Sequence, residues 1–219
     1  FVDCSFCTTS PDILNFPKKN KVFYIPNPSD ESFENLNIYK KKHIKNDVFF
    51  AMSHGVHRGI LKKGKFDKRE NFLNKLVLSI PNIKFDLYGI NGVQPIWADS
   101  LKDALSKSKM GLNLSQGKSI KYYSSDRITQ LVGNGLLTFI DIKTKLNKFF
   151  KNDEIVFYNS LNDLSKKIIR YANNDKLRIK VASKGQKKYL KFFNSKLVAE
   201  FIIQKTYNIN SKKFYWSDK

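Results

Sequence analysis

The chain has 219 residues, of which 41% are hydrophobic, and its 40 lysines and arginines against 19 acidic residues give a formal net charge of +21. This hydrophobic content excludes a disordered chain and allows one large domain, or a domain with an appendage. The charge favours anionic partners such as nucleotides, nucleic acid or acidic lipid head groups, although a compositional bias towards lysine, asparagine, isoleucine and phenylalanine accounts for part of it.

The N-terminal residues contain the two cysteines of the chain, Cys4 and Cys7. A structural zinc site needs four ligands, and no second cysteine pair or spaced histidine pair is present to supply them. The residues after Cys7 do not open a helix, as a redox CxxC motif would. We therefore expect reduced thiols and no metal. The chain starts with Phe rather than Met, so we also expect it to be a piece of a longer protein.

Short apolar runs then alternate with helical patterns, which is typical of a parallel α/β sheet. The runs predicted as strands are 21–28, 47–53, 83–89, 110–115, 136–141 and 154–159. Helices are predicted over 67–80, 100–108, from Ser125 until Gly133 and Gly135 stop it, and over 160–174, 175–193 and 196–208. The sequence predicts an α/β fold: a Rossmann-like, doubly wound parallel sheet of about six strands with a helical C-terminal extension.

Ligands of such a sheet bind at the carboxyl ends of the strands, near the point where the strand order reverses. Three polar loops follow predicted strands: HGVHRGILKKGK, GINGVQ and SQGKSIKYYSSDR. Glycine lets backbone N–H groups approach a phosphate, arginine grips it with paired donors, and lysine adds a point charge. In the third loop Ser124, Ser125 and Arg127 stand at the start of a helix, where free N–H groups favour an anion. The loops therefore predict a diphosphate site. The sequence contains no Walker, GxGxxG, HExxH or GxSxG motif.

Two patterns in these loops resemble the C-terminal, donor-binding half of GT-B glycosyltransferases, particularly group-1, family 4-like retaining enzymes and their spore-maturation-protein-like relatives. Arg58, Lys63 and Gly64 match the R-x4-K-G donor loop of that family. Its second pattern is a helix with E-x7-E and a glycine five residues after the second glutamate. With Gly135 as that glycine, Gln130 replaces the second acid and Tyr122 the first. Relatives with a YSSxR approach to the helix often lack the first acid, and this chain resembles them more closely. The resemblance covers residues 21 to 207.

The resemblance implies a glycosyltransferase whose donor substrate is a nucleotide-diphosphate sugar, with no cofactor and no metal. Arg58 and Lys63 are the implied catalytic residues, because cations stabilise the charge that develops on the leaving diphosphate. The residues implied to bind the donor are Gly55, Asn113, Leu114, Ser124, Ser125, Arg127 and Gln130.

The resemblance also implies how the chain is divided into domains and which further domain it needs. Residues 1–20 are a linker or the remnant of a missing N-terminal domain, 21–194 the Rossmann-like nucleotide-sugar-binding domain, and 195–219 a C-terminal helix and basic tail. Transfer with retention would need the missing acceptor-binding domain, so this fragment alone is expected to be inactive or weak.

We expect a cytoplasmic location with peripheral contact with acidic lipid at the inner membrane face, because no signal peptide or spanning apolar run is visible. No nucleic acid is expected as a partner. Two alternatives stay open. One is a basic nucleic-acid-binding module, motivated by the net charge and the 14% aromatic content. The other is a sugar-nucleotide epimerase of the same fold.

Overall fold

The computed structural model of the protein describes residues 4–17, 20–53, 67–209 and 212–217. The strands are β1 (Cys4–Cys7), β2 (Lys21–Tyr24), β3 (Asn46–Ala51), β4 (Phe85–Tyr88), β5 (Ser108–Asn113), β6 (Leu137–Asp141) and β7 (Val156–Tyr158). The α-helices are α1 (Lys68–Ser79), α2 (Ala98–Ser106), α3 (Asp126–Gly133), α4 (Leu161–Ala172), α5 (Asp175–Phe192) and α6 (Ser195–Thr206). None of the described helices is both long enough and apolar enough to span a bilayer.

Strands β3 to β7 form one parallel sheet in the order β4-β3-β5-β6-β7. The chain leaves β3 towards β4 on one side and then returns past β3 to β5, so the strand order reverses between β3 and β5. Val48 and Phe50 pack with α1 and α4 on one face, whereas Phe49 packs with α2 and α3 on the other. Alternate residues of a strand point to opposite faces, so a continuous apolar run is what a sheet covered on both sides requires. The predicted doubly wound parallel sheet is confirmed.

The predicted helix starts are explained by local capping. Asp67 caps α1, and its carboxylate accepts a hydrogen bond of 2.9 Å from the backbone N–H of Arg69. Ser160 caps α4 in the same way through the N–H of Asp163. A side-chain oxygen at this position satisfies one of the free N–H groups of the first turn. Both helices therefore begin at the carboxyl edge of the sheet, where α1 follows β3 in the chain and α4 follows β7.

The prediction of six strands in one sheet was wrong for the run at 21–28. Its strand β2 pairs in parallel with β1 in a separate two-stranded sheet, in which Cys4 stands opposite Lys21. The reason is aromatic packing, since Phe6 and Phe23 stack at 5.8 Å between ring centroids and both meet the edge of Phe201 on α6. Burial of these rings against the C-terminal helix holds the small sheet away from the main one.

The two cysteines of β1 are free thiols. Residues three apart in a strand point to opposite faces and lie ~10 Å apart, which is too far for a disulfide. The thiol of Cys7 donates to the carbonyl of Thr9 at 3.1 Å, and burial raises its pKa, an effect that this hydrogen bond partly offsets.

Helix α5 fixes the position of α3. The side-chain amide of Gln186 donates to the carbonyl of Gly133 at 2.7 Å, and the hydroxyls of Tyr189 and Thr129 both donate to the carbonyl of Asn27. Gly185 lets α5 approach the segment before β7, since a Cβ atom there would lie 2.2 Å from the carbonyl oxygen of Glu154. Helix α5 consequently holds α3 through Thr129 and Gly133, and this fixes the helix that begins at the carboxyl edge of the sheet.

Candidate functional site

A single side chain, that of Arg127, joins the carboxyl ends of β3 and β5. Its Nε donates to the carbonyl of Ala51 at 3.1 Å and its Nη1 to the carbonyl of Leu114 at 2.9 Å. The guanidinium carbon lies 4.9 Å from the ring centroid of Phe50. These two bonds use two of the five N–H donors of the guanidinium, so three remain available.

The charge of Arg127 survives its surroundings. Burial, and to a lesser extent the nearby Arg69, lower the pKa of Arg127 to about 10, so the side chain is a cation at neutral pH. Arg127 is the second residue of α3, and helical side chains lean towards the N-terminus of their helix. The guanidinium is thereby directed over the strand ends. A cation thus lies at the point where the strand order reverses, which is where such sheets bind ligands.

On one side of Arg127 lies a cavity of about 190 Å³, here called the smaller cavity. The residues that line it come from the end of β3, the segment before α2, and the first turns of α2 and α3: Phe49, Ala51, Met52, Ser53, Pro95, Ile96, Trp97, Leu101, Asp126, Arg127 and Gln130. Trp97 is 49% exposed. Gln130 contributes a side-chain amide. The smaller cavity therefore combines apolar walls with the cation of Arg127, the carboxylate of Asp126 and the neutral amide of Gln130.

Beside Leu114, whose carbonyl accepts a hydrogen bond from Arg127, lies a cavity of about 330 Å³, here called the larger cavity. Its lining comes from the start of α1, the loop after β5, the ends of β6 and β7, and the start of α4: Lys68, Arg69, Phe72, Asn113, Leu114, Ser115, Gly117, Ser119, Asp141, Lys143, Thr144, Tyr158, Asn159, Ser160 and Leu161. Since Leu114 lines it and accepts from Arg127, the hydrogen bond between these two residues forms part of the wall between the two cavities.

Two polar side chains at strand ends stand out in the larger cavity. The carboxylate of Asp141 accepts a hydrogen bond of 2.7 Å from the hydroxyl of Ser119 and one of 2.8 Å from the N–H of Lys143. Tyr158 is 5% exposed, and burial, together with the charge of Asp141, raises its pKa. Neither residue was predicted as a site residue. The sequence feature that could have indicated them is that each is the polar residue at the end of an apolar run.

The two predicted serines are engaged inside the protein. The hydroxyl of Ser124 accepts from the N–H of Asn27 at 2.9 Å, and that of Ser125 donates to the side-chain oxygen of Asn113 at 3.0 Å. All three of Asn113, Ser124 and Ser125 are buried. Ser125 is the N-cap residue of α3, as predicted, but its side chain accepts no hydrogen bond from the described helix. Their contact with a donor ligand stays a prediction.

Tyr122, at the position of the first acid of the E-x7-E pattern, lies away from both cavities. It is buried against Phe149, with ring centroids 4.9 Å apart, and has a left-handed φ of 59°. It lines a separate cavity of about 650 Å³ between β2, α6 and residues 212–217, which shares no lining residue with the other two.

The predicted residues Gly55, Arg58 and Lys63 lie outside the described residues. The described residues on either side of that segment line the two cavities, with Ser53 at the smaller one and Lys68 at the larger one. Among the residues with described positions, no group of three or more His, Cys, Asp or Glu side chains could hold a metal ion.

Comparison with known proteins bears on this site. Residues 68–204 match the family described as "Glycosyl transferase-like". No curated protein sequence matches the chain significantly.

Solved structures share its fold at low identity. Sucrose-phosphate synthase from Thermosynechococcus elongatus has a TM-score of 0.65 at 12% identity, over 95% of this chain and 59% of that one. Anabaena HepE in complex with UDP and glucose has a TM-score of 0.67 at 10% identity, over 95% of this chain and 64% of that one. The pneumococcal O-GlcNAc transferase GtfA in complex with UDP and GlcNAc has a TM-score of 0.63 at 13% identity, over 96% and 46%. The chain spans between about half and two thirds of these proteins, and its fold corresponds to one half of a GT-B fold.

Proposed function

The chain belongs to the glycosyl transferase-like family, and we propose that it is the donor-binding half of an enzyme that transfers a sugar, with retention, from a nucleotide-diphosphate sugar. The finer assignment is to the group-1, family 4-like enzymes of the spore-maturation-protein-like branch. The observation that carries the proposal is the position of Arg127, a cation with three available N–H donors at the reversal of strand order, between two cavities.

A nucleotide-diphosphate sugar has the shape that this arrangement suits. Its diphosphate is a compact dianion that joins two larger uncharged groups, and Arg127 lies between two cavities in the same way. Guanidinium groups bind phosphate oxygens through paired charge-assisted hydrogen bonds. In the smaller cavity, Trp97 offers an aromatic face to a base, and the amide of Gln130 offers a hydrogen bond to a ribose hydroxyl.

In the proposed reaction, the bond between the sugar and the diphosphate breaks, and negative charge grows on the leaving phosphate oxygen. Cations already placed at that oxygen lower the barrier because they need no reorganisation. We assign this role to Arg58 and Lys63, with Arg127 holding the diphosphate. The acceptor hydroxyl would come to the sugar from an N-terminal acceptor-binding domain, of which residues 1–20 are the linker or a remnant. The complexes of HepE with UDP and glucose, and of GtfA with UDP and GlcNAc, support a nucleotide sugar as the donor.

The remaining parts of the proposal concern the surroundings of the enzyme. We place it in the cytoplasm, with its basic surface in peripheral contact with acidic lipid at the inner membrane face. A nucleic-acid-binding module is not favoured, because most aromatic residues lie in the core clusters, where they cannot stack on bases. The family match and the solved structures give an epimerase no support.

Calorimetry with UDP, GDP and ADP tests the donor site. Arg58→Ala and Lys63→Ala should each weaken the binding of the preferred nucleotide by ~1 to 3 kcal/mol, the range for a lost charge-assisted hydrogen bond. Gln130→Ala should cost nearer ~1 kcal/mol, because its contact to ribose is neutral. Arg170→Ala, at an exposed position near the end of α4, is the matched control. Failure of all three nucleotides to bind, or binding unaffected by Arg58, Lys63 and Arg127 substitutions, would refute the donor-site assignment.

A further inference from the structure

We propose that the larger cavity binds the sugar ring of the donor, as a neutral hexosyl unit, and that Asp141 and Tyr158 recognise its hydroxyl groups. This inference rests on the proposed function, and it assigns to the site a substrate class and two specificity-determining residues. The starting point is that these side chains come from the ends of adjacent strands, β6 and β7, and line the same cavity.

Tyr158 supplies the first observation that points to a ligand. The residue is 5% exposed and lines the larger cavity, yet its hydroxyl makes no hydrogen bond to any part of the chain that the structure describes. Because this hydroxyl is not among the fully buried unpartnered atoms, it is open to the cavity, where a bound group or water can satisfy it. A phenolic hydroxyl both donates and accepts, which matches the hydroxyl groups of a sugar.

Asp141 supplies the complementary acceptor. Its two carboxylate oxygens each accept one hydrogen bond from the protein, from Ser119 and from Lys143, and each oxygen keeps a further lone pair. The two protein bonds fix the orientation of the carboxylate, so it is positioned before a ligand arrives. Hydrogen bonds from sugar hydroxyls to a carboxylate are charge-assisted and therefore stronger than neutral ones.

The walls and charges of the cavity favour a neutral sugar. Phe72 and Tyr158 lie with ring centroids 6.5 Å apart and ring planes at 28°, and both line the cavity, which gives it an apolar wall for the C–H groups of a sugar ring. Arg69 is already paired with Asp67 at 2.6 Å, and the two lysines of the lining, Lys68 and Lys143, are exposed to solvent. Among the residues that the structure describes, the fixed charge that a ligand meets beside Tyr158 is thus the carboxylate of Asp141, which would repel the acid group of a uronic sugar.

The adjoining wall connects this cavity to the proposed diphosphate position. Leu114 lines the larger cavity, and its carbonyl accepts the hydrogen bond from Arg127, which itself lines the smaller cavity. A diphosphate held by Arg127 would therefore place the sugar on one side and the nucleoside on the other. In this arrangement the larger cavity receives the sugar, which has more hydroxyl groups than the nucleoside.

The test compares a nucleoside diphosphate with its glucose conjugate on the same protein. Calorimetry would measure the affinity of the preferred nucleotide among UDP, GDP and ADP, and of the corresponding nucleotide-glucose, for the wild type, Tyr158→Phe and Asp141→Asn. We expect nucleotide affinity to stay within about twofold, whereas nucleotide-glucose affinity falls about fivefold for Tyr158→Phe and about tenfold or more for Asp141→Asn. The wild type should also bind the glucose conjugate more tightly than the glucuronate conjugate.

Matched controls separate recognition from folding. Tyr171→Phe changes another buried tyrosine, which lies on α4. Asp153→Asn changes an exposed carboxylate that precedes β7, at the opposite edge of the sheet, and pairs with Lys184. Neither control should alter either affinity, and thermal unfolding of Tyr158→Phe should match the wild type, because no hydrogen bond is lost.

The outcomes distinguish this inference from the proposed function. If nucleotides bind but neither Tyr158→Phe nor Asp141→Asn changes the affinity for the glucose conjugate, the sugar lies elsewhere and the inference is overturned while the proposed function stands. An equal loss for nucleotide and conjugate would also overturn it, because the residues would then act on the nucleotide. If no nucleotide and no conjugate binds the wild type, the proposed function fails and this inference fails with it.

Discussion

Replacing Arg127 with methionine would remove the cation and its N–H donors while keeping an unbranched apolar side chain over the ring of Phe50. The substitution deletes the bonds to the carbonyls of Ala51 and Leu114, at 3.1 and 2.9 Å. A hydrogen bond from a charged donor contributes about 1.5 to 3 kcal/mol. Because the two bonds come from one side chain and their contributions are not additive, we expect the free energy of unfolding to fall by about 1 to 3 kcal/mol rather than by the sum of two bonds. For a chain of this size, that loss lowers Tm by about 2 to 12 °C.

The same substitution should weaken nucleotide binding by a separate amount. Loss of the paired contact to a phosphate group costs a further ~1 to 3 kcal/mol, which corresponds to an affinity roughly 5- to 150-fold lower. Urea unfolding measures the first effect, and calorimetry with UDP, GDP and ADP at a temperature well below Tm measures the second. Arg170→Met, at an exposed position on α4 over the ring of Tyr171, is the matched control and should change neither quantity appreciably. A variant that loses stability but binds the nucleotide as tightly as the wild type would show that Arg127 only clamps the strands, and would refute its role in holding diphosphate.

Two further predictions concern the fold. Gly185→Ala should destabilise the protein by ~1 to 3 kcal/mol in urea unfolding, because the new Cβ atom would lie 2.2 Å from the carbonyl oxygen of Glu154. The same substitution in an open helix stabilises by ~1 kcal/mol. A gain in stability would therefore contradict the close packing of α5. Burial raises the pKa of Tyr189 to about 12, above the value near 10 of a tyrosine in an unfolded chain. The protonated side chain therefore contributes fully to the free energy of unfolding below pH ~10, and this contribution is lost as the pH rises towards 12. Tyr189→Phe should therefore reduce the alkaline slope of unfolding free energy by up to about 1.4 kcal/mol per pH unit, and an unchanged slope would argue against a buried, protonated Tyr189.

The main sheet was predictable because its strands carry apolar residues on both faces. Five of the six predicted strands lie in it, at bounds that differ by a few residues at most. The run at 21–28 has the same composition, but its partner is Cys4–Cys7, and a short apolar strand does not encode which strand it pairs with. Its place was decided by the ring of Phe201 on α6, which lies near the other end of the sequence.

The general location of the candidate site followed from architecture, since parallel strands bring their following loops to one edge. The partners of Arg127 did not follow, because they are backbone carbonyls of residues 76 and 13 positions away and leave no mark in the sequence. Asp141 and Tyr158 were overlooked because a polar residue that ends an apolar run is equally expected at any strand terminus. The roles of Arg58 and Lys63 stay predictions.

The packing of the small sheet against α6 has a consequence for the order in which the protein can fold during synthesis. The Sγ atom of Cys4 lies 3.5 Å from the hydroxyl of Thr206, and 202 residues separate the two in the chain. At the ribosomal rate of about 5 to 20 residues per second, Phe6 and Phe23 emerge about 10 to 40 s before the helix that covers them. During this interval the main sheet can form, but these rings have no partner from α6. The contacts of Phe6 and Phe23 with Phe201 can therefore form only after the residues of the main sheet have been synthesised, and these two rings lack this cover in the nascent chain until then.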